Sequence, residues 1–92
     1  MSEITRAKIL EAVLSERERQ DKRWGDQTYN TDLQWISILT EEVGEVAKDV
    51  NDLRLAGMFE EIIQCAAVCF AWAESYINRG NLMKGDLKNG GE

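Results

Sequence analysis

Glu41-Glu42-Val43-Gly44-Glu45 opens, and Glu60-Glu61-Ile62-Ile63-Gln64 closes, the stretch around which the rest of the chain is organised. Both acidic groups lie inside apolar sequence of helical period, where an unpaired carboxylate is costly to bury. With Trp35 set at zero on a helix of about 100° per residue, Leu39, Val46 and Leu53 fall within about 40° of it. Glu42 falls near −20° on the same scale, at the centre of that apolar stripe. Asp49 lies near −40°, Glu45 near −80° beside Ile38, and Glu41 further out near −120°. Like charges at i, i+3 and i, i+4 disfavour a helix by about 0.2–0.5 kcal/mol per pair, and burying one costs more. The groove therefore calls for positive charge, and a divalent cation supplies it.

The totals set the frame. At 92 residues the chain is a single small domain, and 43% hydrophobic with 30% charged residues is a globular composition. There is no proline, which suits long uninterrupted helices. Seventeen acids against 11 bases leave a net charge of −6. That balance argues against binding nucleic acid or an anionic membrane by bulk charge. The first residues lack the pattern of a signal peptide, and the apolar run from Ile62 to Ala73 is too short to span a bilayer. Cys65 and Cys69, one turn apart, read as small buried hydrophobes. Zinc would need a second pair of soft ligands, and the chain has no histidine. These features predict a reduced, cytoplasmic protein.

Three helices are predicted, in an all-α bundle. The first runs from Ile4 to about Arg23, with Ala7, Leu10, Leu14 and the stem of Arg17 on its inner face. Its charged half, Glu16 to Arg23, reads as a solvated face, with Lys22 or Arg23 available to an anionic ligand. Trp24 to Asn30 reads as a loop whose aromatics either plug the bundle or stack on a base. The second helix, capped by Thr31 or Asp32, runs to about Asp52, with Gly57 as a stop beyond it. The third, Met58 to Asn78, is apolar nearly all round, and three helices of this size cannot bury it on every side. The prediction is a subunit of residues 1–79 completed by oligomerisation, as a homodimer or homotetramer, with a loose tail over residues 80–92.

Glu42 and Glu45 leave one helical face about 5–6 Å apart, and Glu61 and Gln64 repeat that spacing. Two antiparallel helices carrying such pairs surround a hard cation with oxygens, an environment that suits magnesium. The string Leu39-Thr40-Glu41-Glu42-Val43-Gly44-Glu45-Val46 resembles the first motif of the MazG-like, all-α nucleoside triphosphate pyrophosphohydrolases. Their signature is E-E-x-x-E, a spacer, then E-x-x-D. Glu18 to Gln27 resembles an opening found in short bacterial and phage members, and Glu61 to Val68 fits the second motif.

The resemblance implies cleavage of a nucleoside triphosphate between its α- and β-phosphates, giving the monophosphate and pyrophosphate. It implies Mg²⁺, with Mn²⁺ as a substitute, held by Glu42, Glu45 and Glu61. Glu41 would orient or deprotonate the attacking water, and Lys22, Trp24 and Lys48 are the candidates for substrate contact. Gln64 stands where the family has aspartate. Its amide oxygen can ligate a metal but brings no charge. Two other readings stay open: a nucleotide- or metal-binding regulatory module on the same scaffold, and a helical interaction protein whose acids are merely solvated.

Overall fold

The computed structural model describes residues 2–80, so the tail expected from residue 81 onward lies outside the described residues. The chain is all-α: three helices, and no strand among the described residues. Helix α1 spans Glu3–Trp24. The Ser2 hydroxyl accepts from the Thr5 N–H at its start, and Gly25 ends it at φ 74°, in the left-handed region that glycine enters freely. Helix α2 spans Asp32–Asn51 behind a capping box in which Thr31 and Gln34 satisfy each other's backbone N–H. Helix α3 spans Leu55–Asn78.

The turn between α2 and α3 differs from expectation. Gly57 does not stop α2 but lies in the first turn of α3, and Leu53 makes the reversal at φ 57°. The Arg54 N–H bonds the Asp49 carbonyl at 2.8 Å and locks this turn. Holding a leucine there costs about 1–2 kcal/mol, which the backbone hydrogen bond and the packing of the helix pair offset.

Helix α3 is the centre of the bundle. Helices α1 and α2 each pack on it, and their backbones do not come together. On the α1 side Val13 meets Ile63 and Ala67, flanked by Ala12 and Ala66. On the α2 side Trp35 meets Val68 and Ala71, flanked by Ile38, Leu39 and Trp72. Small residues at Ala67, Ala71 and Ser75, all buried, let both neighbours approach closely. Three polar clasps secure the arrangement. Ser75 Oγ donates to the Thr28 carbonyl at 2.6 Å, tying down the loop between α1 and α2. Asp32 Oδ1 accepts from Trp72 Nε1 at 2.9 Å and from Arg79 Nη2 at 2.6 Å. Arg17 donates through Nε and Nη2 to Glu74 Oε1 at 3.2 and 3.0 Å.

The inner face of α1 is a correction. Ala7, Leu10 and Leu14 do not face α3: Leu10 is 63% exposed and Leu14 51%. Helix α1 is turned so that Val13 and Gln20 meet the bundle, with the half-buried stem of Arg17 beside them as expected, and Arg17 pairs there with Glu74. Helix α3 also keeps an uncovered apolar seam. Leu55, Phe59, Ile62, Cys69, Ala73 and Tyr76 stand on one side of it at alternating spacings of four and three, with Ala66 filling the gap, and all six are exposed. At 24 residues α3 is also long and apolar enough to cross a bilayer by length and composition, as the central helix of a bundle can be, although it carries Glu60, Glu61 and Glu74.

Gly44, in mid-α2, faces open space: a Cβ built there meets nothing within 4 Å. Gly44→Ala is therefore expected to stabilise the fold by about 1 kcal/mol through helix propensity alone. Urea unfolding measures it. A loss of stability instead would mean that another surface packs on Gly44.

Candidate functional site: a groove beside sealed carboxylate oxygens

Because α1 and α2 straddle α3 without meeting, a groove of about 320 Å³ opens between them. Helix α1 contributes Glu16, Arg19, Gln20, Arg23 and Trp24, and helix α2 contributes Trp35, Ile38, Glu41 and Glu42. Gln64 and Val68 of α3 form part of the floor, and Gln27 of the connecting loop lines the wall.

Helices α2 and α3 are neighbours joined by a short turn, and their packing puts Glu42 within the field of the Glu61 charge. One carboxylate oxygen of each, Oε2, is sealed from solvent and has no hydrogen-bond partner. Burial pushes the Glu42 carboxyl above the usual carboxylate range, and the charges of Glu61, Glu45, Glu16 and Glu41 push it further. Burial likewise raises Glu61, followed by Asp49, Glu45 and Glu60. The Cys65 thiol, raised first by burial and next by Glu42, stands in the same negative field. Two buried carboxylate oxygens without donors, in a field of further acids, are what a hard cation relieves. Among the described residues, no three acid or cysteine side chains are already gathered tightly enough to cage an ion. Magnesium does not demand such a cage: it keeps waters and ligand phosphates and takes one or two carboxylates from the protein. Glu42 and Glu61 fit that pattern.

The remaining candidates separate. Glu41 lies on the groove wall and is exposed; Glu45 is exposed and close enough to raise both Glu42 and Glu61. Gln64 is half-buried and reaches both the groove and a cavity beside it, between α1 and the start of α3. Trp24 lines the groove, with the Arg23 guanidinium 4.8 Å above its ring. Lys22 lines the neighbouring cavity with Phe59 and Glu60, not the groove. Lys48 is exposed in the last turn of α2 and lies on no wall of the groove.

Other residues enter that the pattern of acids alone did not mark as site members. Glu16 is fixed by Arg19, which donates to both of its oxygens at 2.8 and 2.7 Å, and by Gln20 Nε2 at 3.2 Å. Arg19 holds the Glu16 carboxyl below the usual range despite partial burial. The signal was present in the sequence. Glu16, Arg19, Gln20 and Arg23 share one face of α1, whereas alternating charge by itself suggested a solvated surface. Asp49, one turn beyond Glu45, is half-buried and is the carboxylate that bears most strongly on Glu61. The chain matches no protein-family model, no curated protein and no solved structure.

The raised carboxyls carry a sign. A carboxyl held above its unfolded value binds protons more tightly in the folded state, so its contribution is favourable at low pH and is lost as pH rises through the folded value. Glu42 and Glu61 therefore weaken the metal-free protein above the ordinary carboxylate value of about 4.3. Glu42→Gln is expected to raise the metal-free melting temperature by a few degrees at neutral pH, with the gain shrinking as acid protonates Glu42. Thermal melts from neutral to acid pH test it. An equal gain at both ends would assign the effect to packing and not to charge.

Proposed function

We propose that this groove is the active site of a Mg²⁺-dependent nucleoside triphosphate pyrophosphohydrolase of the MazG-like kind, releasing a nucleoside monophosphate and pyrophosphate. The observation that carries the reading is the sealed, donor-less oxygen of Glu42 on a groove that also bears arginines and an aromatic ring, with a second such oxygen on Glu61 of α3. Glu42, Glu61 and Glu45 hold the cation, with the Gln64 carbonyl as a neutral addition, and Mn²⁺ can take its place. When bound, the metal neutralises phosphate charge and makes the phosphorus a better electrophile. Arg23 pairs with the polyphosphate, with Lys22 approaching from the neighbouring cavity, while Arg19 stays paired with Glu16. Glu41, exposed on the wall, accepts the proton of the attacking water. Trp24 offers its face to the base.

The binding-module reading keeps one observation in its favour. The position after Glu61 that would complete a second acidic pair is the amide Gln64, which leaves the site one negative charge short. Pyrophosphate release from a panel of ribo- and deoxyribonucleoside triphosphates with Mg²⁺ decides between them. Activity is expected, with Glu41→Gln lowering turnover about 10²-fold or more as a general base does. Gln64→Asp is expected to lower turnover too, because the half-buried amide supplies an N–H that a carboxylate lacks. Mg²⁺ bound without release from any triphosphate would leave the regulatory module standing.

We infer further that two copies join along α3. Its outer seam has the alternating four–three spacing by which helices interdigitate, and the exposed Leu10 and Leu14 extend the uncovered apolar surface onto α1. Light scattering at micromolar concentration is expected to give a dimer or tetramer. Phe59→Asp and Ile62→Asp, on the seam and outside the buried clusters, are expected to yield a folded monomer by circular dichroism. A monomeric wild type would overturn the seam assignment.

A further inference from the structure

Trp35 is the most deeply buried aromatic side chain of the described residues, at 2% exposure, and its indole nitrogen has no hydrogen-bond partner. That nitrogen is the one unpartnered donor among the buried side-chain polar atoms of the described residues: the others without a partner are the acceptor oxygens of Glu42 and Glu61, while Ser75 is served by the Thr28 carbonyl and Gln20 by Glu16 and Arg17. Trp72, the neighbouring tryptophan, spends its N–H on Asp32. An indole buried for packing still strands its donor here, a cost that a ring without an N–H would not carry. Trp35 also occupies a particular place. It is the wall shared by the groove described above and a second cavity of about 380 Å³ on the far side of the Gly25–Thr28 segment. Gln27, from that loop, stands beside it on both cavities.

We propose that Trp35 is the specificity-determining residue of the groove: its N–H selects a nucleobase that presents a keto oxygen over the same ring presenting an amino group. This rests on reading the groove as a nucleotide site. Along the groove, phosphates belong at the carboxylate end, near Glu42 and Gln64. The base then lies between Trp24 and Trp35, with the Gln27 amide at its edge. A keto oxygen there accepts from the stranded indole N–H. An exocyclic amino group sets donor against donor and leaves both unpaired. The nitrogen is sealed in the free protein, so a base reaches it only when the Gly25–Asn30 loop, anchored to α3 by the Ser75 hydroxyl on the Thr28 carbonyl, moves outward. The preferred bases are uracil, thymine, guanine and hypoxanthine; cytosine and adenine are disfavoured.

The test uses the full chain, without metal, and two pairs of nucleoside monophosphates matched in shape: dUMP with dCMP, and IMP with AMP. The three indole N–H resonances are followed in nitrogen-labelled protein, with Trp35→Phe assigning the one that matters. The keto member of each pair is expected to shift the Trp35 resonance and to bind about tenfold or more tightly than its amino partner, the range that one unmade hydrogen bond supplies. In Trp35→Phe that ratio is expected to fall close to one. Should the variant fail to fold, the wild-type resonance and the wild-type ratio still decide. Equal binding within each pair, or a Trp35 resonance that no nucleotide moves, overturns the proposal. The hydrolytic reading fails separately. Keto-selective binding with no pyrophosphate release under Mg²⁺ would sink hydrolysis and leave the base assignment. Hydrolysis indifferent to the base, with the Trp35 resonance unmoved, would do the reverse.

Discussion

The fold depends on how closely two helices can approach a third. Ala67, Ala71 and Ser75 present almost no side chain, so Val13 from one side and Trp35 from the other reach the backbone of α3. Larger residues there would push α1 and α2 outward, and the dense contacts that offset the entropy of ordering the helices would be lost. The same constraint makes the groove. Two helices seated on adjacent faces of a slender third, with their backbones apart, leave a concave space between them.

Into that concavity the chain places charge that its own groups do not neutralise. Arg17 is committed to Glu74, Asp21 and Gln20, and Arg19 to Glu16. None of these cations is bonded to Glu42 or Glu61. A structure under no functional demand would carry leucine or glutamine at such positions, since a donor-less buried carboxylate oxygen costs stability. The acidic pair carries a local cost in stability, a pattern that binding sites share and on which the proposed function rests.

Much of this was legible in the residues. Thr31 with Gln34 and Gly25 mark helix ends by their own chemistry, so the bounds of α2 and the end of α1 follow nearly to the residue. Glu42 stood in the apolar stripe of α2 by periodicity, and it is half-buried there. The orientation of α1 was not legible. Leu10 and Leu14 are its more hydrophobic side, yet the helix turns Val13 and Gln20 inward. Which face docks is decided by the shape and charge of α3, and no pattern within α1 encodes that. The turn at Leu53 was hidden for a similar reason, because glycine advertises a left-handed position and leucine does not. Gln27 and Trp35 come together only because the loop is tied to Ser75, forty-seven residues away along the chain.

The three-residue link between α2 and α3 has a consequence for how the molecule assembles. The α2–α3 hairpin closes a short loop, whereas α1 must find Ile63 and Ala67 from some fifty residues away along the chain. Short-range contacts form sooner than long-range ones of similar strength, because less chain entropy is lost in closing them. The hairpin, which already holds Glu42 in the field of Glu61, is then the natural first-formed unit, and α1 docks upon it. In native-state hydrogen exchange this ordering makes α1 the outermost cooperative unit. Its detachment would bare the groove along its whole length while leaving the two carboxylates where they are.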